Sequence, residues 1–267
     1  MFKYFFAKSG MVEPYKIFSS SHVILVCICM FFIVRALWRN RHADSKTVLR
    51  ITRYCAVLLW VLEVMKIAFN LLIGNGENPN TYIPLYFCSI PLYCSLMSGW
   101  GRGTVKRTGD VFMTVGGLVG GVAYFLSPNT TAGQYQAFHF ITIQSFILHG
   151  IMIFLSVLYI ITGYHKLVMK DLKFYALTIV TMCVAAYTVN YFLDSNLMFV
   201  SKNFPGTPVE ILYNLSPEYF PFWMTFIQAI PPFLVIYALV YMLKKFVHSI
   251  REAQSLENSK EDQYGLV

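Results

Sequence analysis

Cys88, His149 and Gln144, together with Glu63 and Lys66, are the residues of this chain whose types suit covalent chemistry. A cysteine thiolate attacks carbonyl carbon, a neutral imidazole takes and returns the proton, and a carboxamide donates to a developing oxyanion. The spacing around them is helical. Glu63, Lys66 and Asn70 fall at i, i+3 and i+7; Thr142, Ser145 and His149 repeat that interval with Gln144 at the edge of the face; Tyr187, Asn190 and Asp194 repeat it again. Each candidate also has an inert reading: Glu63 and Lys66 as an ion pair that fixes helix packing, Cys88 as a small core residue, His149 as a hydrogen-bonded core histidine.

The elements that must position these residues are long and apolar. With 57% hydrophobic and 13% charged residues in 267, the chain has no connector long enough for a soluble domain and reads as one bundle. Seven apolar stretches cover about 21–38, 48–72, 83–100, 111–125, 138–161, 172–193 and 220–247. Each approaches the ~20 residues that a helix needs to cross the hydrocarbon, although the fourth is short. The expected fold is an all-α membrane protein: a seven-helix transmembrane bundle over 21–250, preceded by an interfacial segment at 1–20 and followed by a disordered tail at 251–267. The first stretch is too long for a signal peptide and ends in Trp38-Arg39-Asn40-Arg41 without a small-residue cleavage site.

Basic residues occupy every second gap. Arg39, Arg41, Lys46, Arg50 and Arg53 follow the first stretch, Arg102, Lys106 and Arg107 the third, Lys166, Lys170 and Lys173 the fifth, and Lys244, Lys245, Arg251 and Lys260 the last. Positively charged connectors stay in the cytoplasm, so the amino terminus is expected outside and the carboxyl terminus inside, with Lys3, Lys8 and Lys16 arguing weakly the other way. The net charge of +8 is then a rim facing anionic headgroups rather than a nucleic-acid surface. All six cysteines lie inside apolar stretches, so neither a disulfide framework nor a zinc pattern arises, and no metal or cofactor is expected.

Charged and strongly polar groups at membrane depth carry a functional expectation, because each costs several kcal/mol unless paired or wetted (roughly 2.5–3.5 kcal/mol on insertion scales). This orientation places the polar faces of four stretches, the second, third, fifth and sixth, at similar outer depth, which predicts a cavity open to water or headgroups. On unbroken helices Cys88 and His149 would differ in depth by roughly 8 to 10 Å at ~1.5 Å per residue, a gap that tilt or a break at Pro84 has to close. Pro91 should bend the same stretch, and Pro231-Pro232 the last one. Gly116-Gly117 and Gly120-Gly121 form overlapping small-xxx-small pairs for close helix approach. The connector at 194–219, with three prolines, reads either as a cap on the outer face or as an ordinary loop.

Several elements resemble one family. Ile83-Pro84-Leu85-Tyr86-Phe87-Cys88-Ser89-Ile90 is similar to the Leu-Pro-Leu-His-Leu-Cys-Ser-Ile element of bacterial YwaF-like membrane proteins, relatives of eukaryotic transmembrane protein 164. Gln144 to His149 resembles their Gln-x-x-x-x-His element. Asn190-Tyr191, Asn196-Leu197-Met198-Phe199, Lys202 and the run from Pro208 to Pro221 resemble the approach to their last helix. Tyr86 stands where the family usually has histidine, and Leu85 where the eukaryotic branch has its cysteine. The resemblance implies a seven-helix bundle in a bacterial cell membrane and acyl transfer among phospholipids through a cysteine and a histidine.

Cys88 and His149 are accordingly the expected catalytic pair, with Gln144, Asn190, Tyr187, Glu63 and Lys66 around the substrate and membrane lipids as partners. Two other expectations stay open. One is a binder or transporter of a small polar solute lined by Glu63, Lys66, Gln144 and His149; the other is a structural subunit whose polar groups specify packing.

Overall fold

A computed structural model describes residues 4–74, 76–203 and 208–264, with backbone alone for 208, 248 and 250–264. Among them there are helices and turns and no strand. Six helical segments are long and apolar enough to cross a membrane. They comprise α1 (Ser20–Asn40), α2 (Ser45–Leu72), α4 (Gly103–Leu126), α5 (Phe140–Ile161), Met169–Leu193, which contains α6 (Leu172–Leu193), and Phe220–Val247.

The third apolar stretch is not such a helix. Its prolines break it, as expected of residues that cannot donate to a helical ladder. The chain makes a 3-10 turn at Pro79–Thr81, extends past Pro84, makes a second 3-10 turn at Phe87–Ser89, and only then enters the short α3 (Ile90–Trp100) with Pro91 in its first turn. The last stretch divides too: α8 (Phe220–Ala229) stops at Ile230, and α9 (Pro231–Tyr264) restarts on the proline pair. Its helical backbone runs across most of the tail placed at 251–267, and residues 265–267 lie outside the described residues.

α4 and α5 form the centre. Of their spanning windows 72% is buried, against 11% for α1, which lies on the rim beside α5. α4 packs on α3, α5, α6 and α9, and its glycines permit this. A Cβ on Gly121 would stand 2.5 Å from Ile153 Cγ1 and 2.9 Å from the His149 carbonyl, so the pair at 120–121 sets the α4–α5 approach. An equally close approach joins α4 to α3: a Cβ on Gly109 would meet the Ser98 nitrogen at 2.5 Å and the Cys94 carbonyl at 2.6 Å, backbone atoms that cannot yield.

α4 also begins earlier than its apolar core, at Gly103. Lys106, Arg107 and Asp110 therefore belong to a helix rather than to a connector, and each has a partner there. The described residues of the connector at 194–219 are partly helical. They hold a 3-10 turn at Leu197–Phe199 and α7 (Pro208–Leu215), and Leu197 and Met198 are fully buried in the main core.

Candidate functional site

At the end of the bundle opposite the basic connectors, a cavity of 450 Å³ opens between α2, the broken segment 78–89, α5 and the α4–α5 connector. Cys88, His149, Gln144, Glu63 and Lys66 all line it. Cys88 reaches the cavity from the 3-10 turn at Phe87–Ser89 and His149 from α5, so both residues line one space without a continuous third helix. No hydrogen bond joins Cys88 and His149 among the described residues, and Cys88 is partly accessible.

His149 is held firmly. Its Nδ1 donates to the Ser145 carbonyl at 2.7 Å, which assigns the ring proton to Nδ1 and leaves Nε2 as the acceptor. Tyr124 stacks on the ring at 3.8 Å between centroids and 8° between planes. The Tyr124 hydroxyl is itself held by Thr131, which also bonds Tyr15, so a buried hydroxyl chain runs from the imidazole stack to the amino-terminal segment. Gln144 beside it donates one amide N–H to the Leu62 carbonyl at 3.2 Å and accepts from the Ser145 hydroxyl at 3.1 Å. A carboxamide has two N–H donors, and one remains for a group in the cavity.

Glu63 and Lys66 form an ion pair at 2.6 Å, with the glutamate 2% and the lysine 22% exposed. No hydrogen bond to the paired Glu63 Oε1 accompanies that contact; we read it as an ion pair of poor hydrogen-bond geometry. Asn70, one turn on, donates to the Thr81 carbonyl at 2.8 Å and ties α2 to the broken segment. Tyr86 donates to Asn80 Oδ1 at 3.1 Å, and the same oxygen accepts from the Asn196 amide at 2.8 Å.

Two candidates stand away from this cavity. Asn190 is buried, but its amide is fully used: Nδ2 donates to the Leu197 carbonyl and Ser201, while Oδ1 accepts from Ser195 and the Leu197 amide. It organises the turn at 195–201. Tyr187 is exposed, pointing away from the core. In place of the sixth helix, the wall comes from Asn78, Asn80, Gln134 and Tyr135 in turns and connectors, which helical spacing does not reveal. Among the described residues no group of three His, Cys, Asp or Glu side chains is placed to hold a metal ion.

Costly groups are not confined to this end. At the basic end Asp171, fully buried, receives Arg107 Nε at 2.9 Å and Nη2 at 2.7 Å on one oxygen, and His165 at 3.2 Å and the Val168 amide at 3.0 Å on the other. Burial holds the His165 imidazole below its ordinary value, with Asp171 opposing that shift. Next to it Asp110 accepts from Ser98 at 2.5 Å and Lys106 at 2.6 Å, and Tyr159 bridges Ser98 to Thr52. The i, i+4 spacing of Lys106 and Asp110 was the available signal.

The model of the TMEM164 family matches residues 17–243. That span includes every cavity residue except Ser9. No curated protein and no solved structure matches the chain.

Proposed function

The chain belongs to the TMEM164 family, and from that premise we propose a membrane-embedded lipid acyltransferase or acyl hydrolase working in the outer leaflet. In this reading the broken segment 83–100 completes a seventh crossing, the basic end is cytoplasmic and the cavity opens outward. The observation that carries it is the convergence of a thiol, an imidazole with a free Nε2, a spare amide donor and an ion pair on one cavity.

Cys88 gives its proton to His149 Nε2 and the sulfur attacks an ester carbonyl of a phospholipid. Gln144 donates to the resulting oxyanion. Collapse expels the lipid alkoxide, which takes the proton from His149, and leaves a thioester on Cys88. A lysolipid hydroxyl or water, losing its proton to His149, then attacks that thioester and restores the thiol. Lys66, the lysine that lines the cavity, faces the phosphate, and Glu63 holds the lysine in place. Asn190 supports the wall through the turn at 195–201 and Asn196.

Purified protein in lipid vesicles should release or transfer acyl chains, with turnover stopped by thiol alkylation and lost in Cys88→Ala. Turnover that survives both would remove this reading. The Glu63 and Lys66 pair favours one alternative, a binder of a small polar solute. Ligand binding abolished in Lys66→Ala and unchanged in Cys88→Ala would establish that alternative instead.

A further inference from the structure

Residues 4–19 do not simply lead into α1. They fold back over the α4–α5 connector, and Ser9 reaches the cavity wall. The Tyr15 amide donates to the Tyr135 carbonyl and the Gly133 amide to the Tyr15 carbonyl, both at 3.0 Å. The Phe140 amide donates to the Phe5 carbonyl at 3.0 Å, and Ser9 Oγ to the Gln134 carbonyl at 3.3 Å. The segment thus lies across the connector that carries Thr131, Gln134 and Tyr135 of the cavity.

Two histidines fasten this arrangement, and both are 2% exposed. His139, the N-cap of α5, accepts from the Ile141 amide on Nδ1 at 3.1 Å and donates from Nε2 to the Ala7 carbonyl at 3.0 Å. His22, in the first turn of α1, accepts from the Phe18 amide on Nδ1 at 3.0 Å and donates from Nε2 to the Phe125 carbonyl at 3.1 Å. Each ring uses one nitrogen as acceptor and the other as donor, an arrangement open only to neutral imidazole. A second ring proton would set N–H against N–H.

The neighbouring side chains are aromatic and uncharged. Tyr135 stacks on His139 at 4.3 Å and Phe69 of α2 meets it edge-on at 5.6 Å. Around His22 stand Tyr15, Phe18 and Phe146 of α5. The two tyrosines are the titratable groups in contact, and no carboxylate or ammonium lies within ion-pair reach of either ring among the described residues.

We propose that residues 4–19 are an acid-released cover on the cavity, fastened through the hydrogen bonds of His22 and His139 and freed when His139 takes up a proton. The consequence for turnover rests on the cavity being the working site; the motion itself does not. Burial lowers the His139 value below that of a free imidazole, so the released segment binds the proton more readily than the closed one. Closure is therefore complete above the free value of about 6.5 and is lost as pH falls below it toward the lowered value.

Hydrogen exchange on the full-length protein in lipid nanodiscs, corrected for the intrinsic pH dependence of exchange, tests this at about pH 7.5 and about pH 5, either side of the imidazole range. Protection of the Tyr15, Gly133 and Phe140 amides should fall by roughly tenfold or more at the lower pH, while mid-helix amides of α4 and α5 keep theirs. In the double variant His22→Gln, His139→Gln, which keeps an acceptor and a donor but does not titrate, protection should be equal at both values. Equal protection in the unaltered protein, or an undiminished fall in the double variant, overturns the proposal. If the double variant is open at both values, His139→Asn, which retains the N-cap acceptor, decides: a reduced pH response upholds the proposal and an unchanged one refutes it. Cys88→Ala should open like the unaltered protein even if it turns over no lipid, which separates failure of the cover from failure of the catalytic reading.

Discussion

His149→Ala is expected to lower lipid turnover by roughly 10²- to 10⁴-fold, the range that a positioned general acid–base contributes. The loss should fall on kcat, since the imidazole moves protons and the acyl chain is bound elsewhere. Two features of the ring make the expectation sharp. The Ser145 carbonyl fixes the proton on Nδ1, so Nε2 presents a lone pair to the cavity without a tautomer change. The Tyr124 stack at 3.8 Å holds the plane, so little orientation has to be gained during reaction. Tyr124→Phe keeps the stack and removes the hydroxyl with its bond to Thr131, and it should cost less than about tenfold, equivalent to about 1.4 kcal/mol. Steady-state kinetics of purified variants would check both; an unchanged kcat in His149→Ala would return this histidine to a packing role.

Arg107→Ala should produce a large loss of stability at the basic end. It removes the guanidinium from a carboxylate with no exposure, leaving Asp171 with His165 and one backbone amide. Breaking a buried pair costs about 3–5 kcal/mol; the half-exposed guanidinium places this one near the low end, at about 3 kcal/mol. Asp171→Ala should cost less, about 1–3 kcal/mol, because Arg107 can turn to water and only the Val168 amide and His165 lose a buried partner. The double variant should cost less than the two single losses added, because the residues share one interaction. Thermal unfolding of the four proteins in the same detergent measures the coupling. Additive losses would show that Arg107 and Asp171 act independently.

Much of this fold is legible in the residues, for identifiable reasons. α6 matches its apolar stretch because Asp171 and Asp194 bound it, and the breaks near Pro84 and at Pro231 follow from the missing amide donor. The start of α4 is not legible from hydropathy, since Lys106, Arg107 and Asp110 read as connector until their partners on α3 and the α5–α6 connector are known. The site divides in the same way. Helical spacing puts Glu63, Lys66, Gln144 and His149 on inward faces, and all four reach the cavity. Spacing also turns Asn190 inward, correctly as to side, but it says nothing of what lies opposite, which is the turn at 195–201. The cover formed by residues 4–19 escapes sequence reading altogether. Its fastening depends on backbone groups of Ala7 and Phe18, which no residue type announces.

The most direct test of the account is the covalent state of Cys88. Incubation of purified protein with a phospholipid and no lysolipid acceptor, followed by rapid acid quenching and peptide mass measurement, should find one acyl chain on Cys88. The bond should be cleaved by neutral hydroxylamine, as a thioester is, and the adduct should be missing in His149→Ala over the same interval. Lipid turnover with no adduct on Cys88 at any quench time, or with the acyl chain on another of the six cysteines, would contradict the assignment of Cys88 as the nucleophile.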